Sequence, residues 1–193
     1  MAIFALLMAI LLVVVQRLTV DKIAIEQEKF RLKLLYEVCQ LSYGIDQITV
    51  ESLPISPQMQ TELNSQKDSI TVVKTQTGQS FYLLDFVAPD GYSGDIEMLM
   101  AVTKQGVISG VRVINHKETP GLGDKIELAK SDWITHFNQL SLESYSFNQW
   151  AITKDGGVFD AFTGATVTPR AVVNAIKKAL VTFNDYQQYQ NYE

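Results

Sequence analysis

Four runs rich in β-branched, aromatic and large apolar residues lie close together: "SITVVKTQ", "SFYLLDFVAP", "DIEMLMAVT" and "VISGVRVIN", between Ser69 and Asn115. Turn signals separate them at Thr77-Gly78, Pro89-Asp90-Gly91 and Lys104-Gln105-Gly106. A parallel pairing needs a crossover of about a dozen residues or more, and these gaps are far too short for one. The runs therefore predict an antiparallel sheet. Beyond it the spacing predicts a helix from about Lys125 to Asn138, a short strand around Trp150 to Thr153, and a glycine turn at Asp155-Gly156-Gly157. A final helix is expected from Pro169 to about Asn184, with Ala171, Val172, Ala175, Ile176 and Ala179 as its buried stripe. The expected fold class is α+β, helices packed on an antiparallel sheet.

The chain opens on "MAIFALLMAILLVVV", which carries no charge and no strong helix breaker. The run is shorter than the roughly 20 residues of a usual span, but Leu18 and Val20 extend it if Gln16 and Arg17 snorkel. A cleaved signal peptide would want basic residues before the run and a small-x-small site after it, and a buried amphipathic helix would have a polar face. A single transmembrane helix over residues 1–18, set in a lipid bilayer, is the expectation. From Thr19 to about Leu41 the residues Val20, Ile23, Phe30, Leu34, Val38 and Leu41 recur mostly at helical spacings, an amphipathic helix. Residues 43–68 show no sustained period and read as an irregular connection with a short helix near Gln58 to Leu63. The expected organisation is an anchor at 1–18, a connecting region at 19–68 and a folded domain at 69–193.

The 16 Lys and Arg are scattered among 21 acidic residues, for a net charge of -5, so the clustered basic surface of a nucleic-acid binder is missing. Cys39 stands alone, without a CxxC or Cys/His cluster to hold zinc or an iron–sulfur centre. His116 and His136 have no acid and nucleophile at a recognisable spacing, and P-loop and dinucleotide fingerprints are absent. No catalytic triad and no metal site is expected.

Two stretches have room for chemistry. In "DAFTGATVTPR", Thr168 before Pro169 reads as N-cap and first helical residue, and Thr163 and Thr166 are hydroxyls left over. The free N–H groups and positive dipole end of that helix would favour an anionic phosphate beside Thr163 to Thr166. Gly164 and Ala165 leave the backbone approachable, and Arg170 could add a charge-assisted contact. An ordinary polar loop before a helix has the same composition. In "HKETPGLGDKI", Thr119-Pro120-Gly121-Leu122 suits a type II turn, and Leu122 between two glycines could present an apolar surface to a flat ring. Glu118 and Lys125 bracket that loop. The plain alternative is a strand-to-helix turn with Asp124 as the next N-cap.

Taken together these residues resemble a known family. "DAFTGAT" is similar to the flavinylation motif of FMN-binding domains, an Asp followed by Ser/Thr-Gly-Ala-Thr, whose final threonine is joined to the FMN phosphate by a phosphoester bond. "GYSGDIEMLMAV", which contains Tyr92, and "HKETPGLG" are similar to the family's other two signatures, in the same order. The resemblance implies covalent FMN on Thr166. It implies FMN contacts from Asp160, Thr163, Gly164, Ala165, Thr168 and Arg170, and from Tyr92, Glu118, Thr119, Gly121, Leu122, Gly123 and Lys125. Asp160 would help bind a metal–FAD complex during transfer, and Lys125 would favour reduced anionic flavin.

Within the family the anchor, the single domain and the length most resemble the G subunits of Rnf (Rsx) electron-transport complexes. The C subunit of sodium-pumping NADH:quinone reductases shares the motifs but usually carries a longer segment between anchor and domain. The resemblance implies a redox subunit of a translocase rather than an independent catalyst. Its partners would be the other membrane and redox subunits of the complex, and a flavin transferase during maturation. A membrane assembly module without redox chemistry is the alternative from another class. The basic residues after the apolar run, read by the positive-inside rule, would leave the domain in the cytoplasm. The resemblance implies the periplasmic side of a bacterial inner membrane, and this is the expectation taken, since truncation or a misplaced start can remove a basic leader.

Overall fold

The computed structural model describes residues 29–42 and 47–190, with Phe4, Met8, Gln16 and Glu26 besides. The rest of the expected anchor at 1–18, and most of the expected amphipathic helix before Lys29, lie outside the described residues. Among the described residues no helix is long and apolar enough to cross a membrane. The chain divides into two units, Met1–Glu37 and Val38–Glu193. In the first, residues 29–37 are helical, with Lys33 and Glu37 facing each other at 3.9 Å across one turn.

The second unit is built on five strands in the order β1-β2-β3-β4-β5, every neighbouring pair antiparallel. These are β1 (Ile48–Pro54), β2 (Ser69–Thr75), β3 (Ser80–Gly91), β4 (Gly94–Thr103) and β5 (Ile108–Asn115). The last four are the runs expected from the sequence. β1 corrects the expectation of an irregular connection over 43–68. It is an edge strand, mostly solvent-facing on both sides, so it carries no hydrophobic alternation and owes its form to backbone pairing with β2. The short helix α1 (Pro57–Glu62) follows it, with the Ser56 hydroxyl accepting the Met59 N–H at 3.1 Å and Pro57 in the first turn. The turn expected at Pro89-Asp90-Gly91 falls later: β3 runs on through a register shift to Gly91, and Tyr92-Ser93 make a two-residue hairpin turn to Gly94.

The helix expected at Lys125 to Asn138 does not form. Two separate 3-10 turns, Gly123–Ile126 and Trp133–Phe137, stand there instead. Ser131 and Asp132 break the run: the Ser131 hydroxyl accepts the Trp133 N–H, and the Asp132 carbonyl accepts both the N–H and the hydroxyl of Thr135. Trp133, Ile134 and Phe137 are still buried, as a helical face would have been. The strand expected at Trp150 to Thr153 is reduced to one isolated bridge, Ile152 to Phe159, across the glycine turn. Among the described residues no second strand lies beside it to extend a ladder.

The C-terminal helix α2 (Val167–Gln190) covers one face of the sheet. Val172, Val173, Ile176, Leu180 and Phe183 are fully buried against Leu84, Met98, Met100 and Ile108 of the strands. Each such side chain contributes about 1.5–3 kcal/mol by leaving water. At the helix start the core turns aromatic: Phe137 stacks on Phe159 at 4.6 Å, and Trp133 stands edge-on to Phe162 at 5.0 Å. Val38 and Gln40 lie along β5. A Cβ on Gly110 would come within 2.7 Å of the Val38 carbonyl, and the Gln40 amide donates to the Ser109 carbonyl at 2.6 Å.

Candidate functional site

Three pieces of chain distant in sequence meet at the N-terminal end of α2. The first is the hairpin turn at Tyr92-Ser93, where the Tyr92 side chain is 72% exposed. The second leaves β5 through His116. Its ring Nδ1 accepts the Glu118 N–H at 3.0 Å, so the proton sits on Nε2, which donates to Glu127 Oε1 at 2.7 Å. The chain then makes the turn expected at Thr119 to Leu122. The Thr119 carbonyl accepts N–H bonds from Leu122 and Gly123, and Gly121 has φ 79°, as the third position of a type II turn requires. Asp124 is no helix cap: its carboxyl reaches back to the Gly121 N–H at 2.8 Å and braces that turn.

The third piece is Phe162 to Thr168. Ala165 N–H donates to the Phe162 carbonyl across a turn with Gly164 at φ 81°. The helix then begins two residues earlier than expected. Val167 is the first helical residue, and the Thr166 carbonyl accepts the Arg170 N–H at 3.4 Å, which puts Thr166 in the N-cap position. Thr168, expected as the cap, lies in the first turn, and its hydroxyl donates instead to Glu118 Oε2. Pro169 loses nothing by the change, because first-turn N–H groups have no partner inside a helix.

Glu118 is the joint of the three. It is 5% exposed; Oε1 accepts the Ser93 N–H at 2.9 Å and Oε2 accepts the Thr168 hydroxyl. A buried carboxyl must be satisfied in this way, since an unpaired one costs several kcal/mol. Gly123 is pressed against the same joint. A Cβ there would lie 2.7 Å from Glu118 Oε2 and 2.9 Å from the Thr168 hydroxyl.

The three pieces enclose an open cavity of about 380 Å³ lined by Tyr92, Glu118, Thr119, Leu122, Gly123, Gly164, Ala165, Thr166, Val167 and Thr168. Nine of these were expected from the sequence. Val167 was missed, because the helix start was placed after it. Tyr92, Leu122 and Val167 expose apolar surface. Among the described residues nothing hydrogen-bonds the Thr166 hydroxyl, which stands where the first-turn N–H groups of a 24-residue helix and its dipole favour negative charge. Size, apolar walls and a free hydroxyl beside an anion-favouring helix end fit a flavin mononucleotide, ring and phosphate both.

Five expected residues are not brought to that lining. Gly121 shapes the turn behind it. Lys125 is half-buried in the 3-10 turn beyond Gly123. Asp160 is exposed, and its carbonyl accepts the Trp133 indole N–H at 2.9 Å. Thr163 is exposed at the corner of the Gly164 turn. Arg170 is turned to Asp155, Nε to Oδ2 at 2.6 Å and Nη2 to Oδ1 at 2.9 Å. That pairing holds the Asp155 carboxyl below, and the Arg170 guanidinium above, its ordinary range, mainly through the hydrogen bonds between them.

The family described as FMN-binding domain matches residues 91–181, and that described as RnfG N-terminal region matches residues 1–38. The G subunit of an ion-translocating oxidoreductase complex from Pasteurella multocida is 42% identical over 197 residues, 99% of this chain and 94% of that protein. G subunits of the same name are 43% identical in Pseudomonas aeruginosa, over 95% of this chain and 86% of that one, and 40% identical in Shewanella oneidensis, over 97% and 88%. Among solved structures, Shewanella oneidensis NqrC aligns at a TM-score of 0.46 and 22% identity, over 72% of this chain and 69% of that one.

Proposed function

This chain belongs to the RnfG family, the G subunits of ion-translocating oxidoreductase complexes with an FMN-binding domain, and from that premise we propose that it is a membrane-anchored covalent flavoprotein relaying electrons through FMN. The complex would pass electrons between ferredoxin and NAD and couple that flow to ion translocation. FMN, when bound, accepts electrons and gives them up again. The protein's own part is to hold, orient and shield.

The observation that carries the reading is the Thr166 hydroxyl, without a hydrogen-bond partner among the described residues, on the wall of a cavity in which all three family signatures meet. A flavin transferase would join it to the phosphate of FMN taken from FAD. The new Oγ1–P bond replaces the pyrophosphate P–O bond, AMP leaves, and the hydroxyl proton is released. Thr166 needs no base of its own when another enzyme supplies the chemistry. The start of α2 would then stabilise the phosphodiester charge by about 0.3–1 kcal/mol. Leu122, Val167 and Tyr92 would offer apolar surface to the ring system. Asp160, exposed and with its carbonyl bonded to the Trp133 indole, would serve the transferase rather than the bound cofactor.

Residues 1–18 are proposed as a single-pass anchor in a bacterial inner membrane, with the five-stranded unit that carries the FMN site on the periplasmic side. A covalent tether suits this setting, because a carrier that never dissociates is not lost over many redox cycles. The test is the intact mass of the full chain expressed with a flavin transferase. We expect one FMN on the wild type and none on Thr166→Ala; an unmodified wild type, or a variant still carrying flavin, overturns the proposal. Protease access to the domain in spheroplasts tests its side of the membrane.

A further inference from the structure

The start of α2 is contested. Locally, Thr168-Pro169 is a preferred N-cap and first-residue pair, and by that rule Thr166 would be loop. The helix nevertheless begins at Val167, and its first backbone bond, Arg170 N–H to the Thr166 carbonyl, is long at 3.4 Å. What removes Thr168 from the competition lies 50 residues earlier in the chain: its hydroxyl is bound to the buried Glu118, itself held by the Ser93 N–H. The hydroxyl of Thr168, a residue 1% exposed, donates to that carboxyl, and among the described residues no N–H of its own helix is bonded to it.

We propose that Glu118 is a positioning residue for covalent attachment of FMN: by sequestering the Thr168 hydroxyl it selects the helix register that makes Thr166 the N-cap residue on the cavity wall. The inference rests on Thr166 being the attachment point. In the selected register the amides of Arg170 and Ala171 bond to the carbonyls of Thr166 and Val167. In the alternative, with Thr168 as cap, the first backbone bond runs from Val172 to Thr168, and Thr166 moves out into the loop, away from the helix end that favours the phosphate. Among the described residues no hydrogen bond joins Glu118 to Thr166. Glu118 acts through Thr168.

The experiment compares the full-length wild type, Glu118→Leu and the double variant Glu118→Leu/Thr168→Val, each expressed with a flavin transferase, by the rate of FMN incorporation and by amide hydrogen exchange on the flavin-free chain. Glu118→Leu frees Thr168 to cap, so incorporation is expected to fall about tenfold, with faster exchange at whichever of the Arg170 and Ala171 amides the Thr168 hydroxyl does not accept, and no change from Val172 onward. The double variant removes the competing cap along with its captor, and valine in place of threonine leaves no unpaired hydroxyl. Its exchange at Arg170 and Ala171 is expected to return to the wild-type rate, and its incorporation to rise above that of Glu118→Leu. Incorporation at the wild-type rate in a folded Glu118→Leu overturns the inference, and so does a folded double variant as slow as the single one, which would mean that the carboxyl itself takes part. Should Glu118→Leu not fold, the double variant decides alone: exchange at Arg170 and Ala171 faster than in the wild type overturns the inference. A wild type unmodified at Thr166 defeats the attachment site, and with it this inference, and is told apart because no variant is then needed to see it.

Discussion

Arg170 and Asp155 clasp each other through two hydrogen bonds, at 2.6 and 2.9 Å, across the mouth of the glycine turn that precedes the last helix. The contact ties the first turn of α2 to the 3-10 turn Thr153–Asp155 and takes the cation away from the cavity.

Arg170→Gln is therefore expected to leave FMN attachment unchanged and to alter acid stability instead. The folded-state pKa of Asp155 is depressed by Arg170, so the pair contributes stability above the unfolded carboxyl pKa of about 3.9 and loses it as pH falls through the depressed value. The variant should show a shallower loss of stability below about pH 4 than the wild type. Urea unfolding at a series of pH values checks this; equal acid limbs would mean that solvent screens the pair fully.

Gly123→Ala should damage the site more than its size suggests. The added methyl would meet Glu118 Oε2 and the Thr168 hydroxyl, both already committed to each other, and neither is the loose end of a surface side chain. Overpacking of this kind costs about 1–3 kcal/mol. The variant is expected to unfold at lower temperature and to take up FMN more slowly, read by calorimetry and intact mass.

What the sequence disclosed follows from how local each signal is. β2 to β5 were legible because each strand carries a run of β-formers with several buried side chains and the turns between them are short. β1 was not, since Thr49 to Ser52 face solvent and its conformation comes from its neighbour. Trp133, Ile134 and Phe137 have helical spacing and are buried as if on a helix, yet Ser131 and Asp132 fold the backbone into short turns. The cap at Thr168 followed a sound local rule that Glu118 overrides through tertiary contact, and the same shift hid Val167. Arg170 has the right charge and place in sequence for a phosphate, but Asp155 is closer than any local rule could tell.

Lys125 stands beyond the cavity lining, half-buried in the 3-10 turn Gly123–Ile126. A charge set back from the cavity wall acts on what the cavity holds more weakly than one in contact with it, because water and salt screen it. Lys125→Met is expected to leave the FMN reduction potential where it is, measured by redox titration of the flavin absorbance. A fall in potential would bring the ammonium against the ring.

Cys39 is buried beside the residues that lie along β5, and burial pushes its thiol up to about 12. The thiolate is the reactive form, so the native protein should resist a disulfide reagent at pH 8 and react with one equivalent once unfolded. Linkage gives a second consequence. The folded pKa lies above the unfolded value of about 8.5, so the thiol's contribution to stability is complete below about 8.5 and is lost as pH rises toward 12. Cys39→Ala should accordingly flatten the alkaline decline of stability relative to wild type, at a constant cost for the smaller side chain. Prompt labelling of the native protein, or identical alkaline slopes, would place the thiol in water instead.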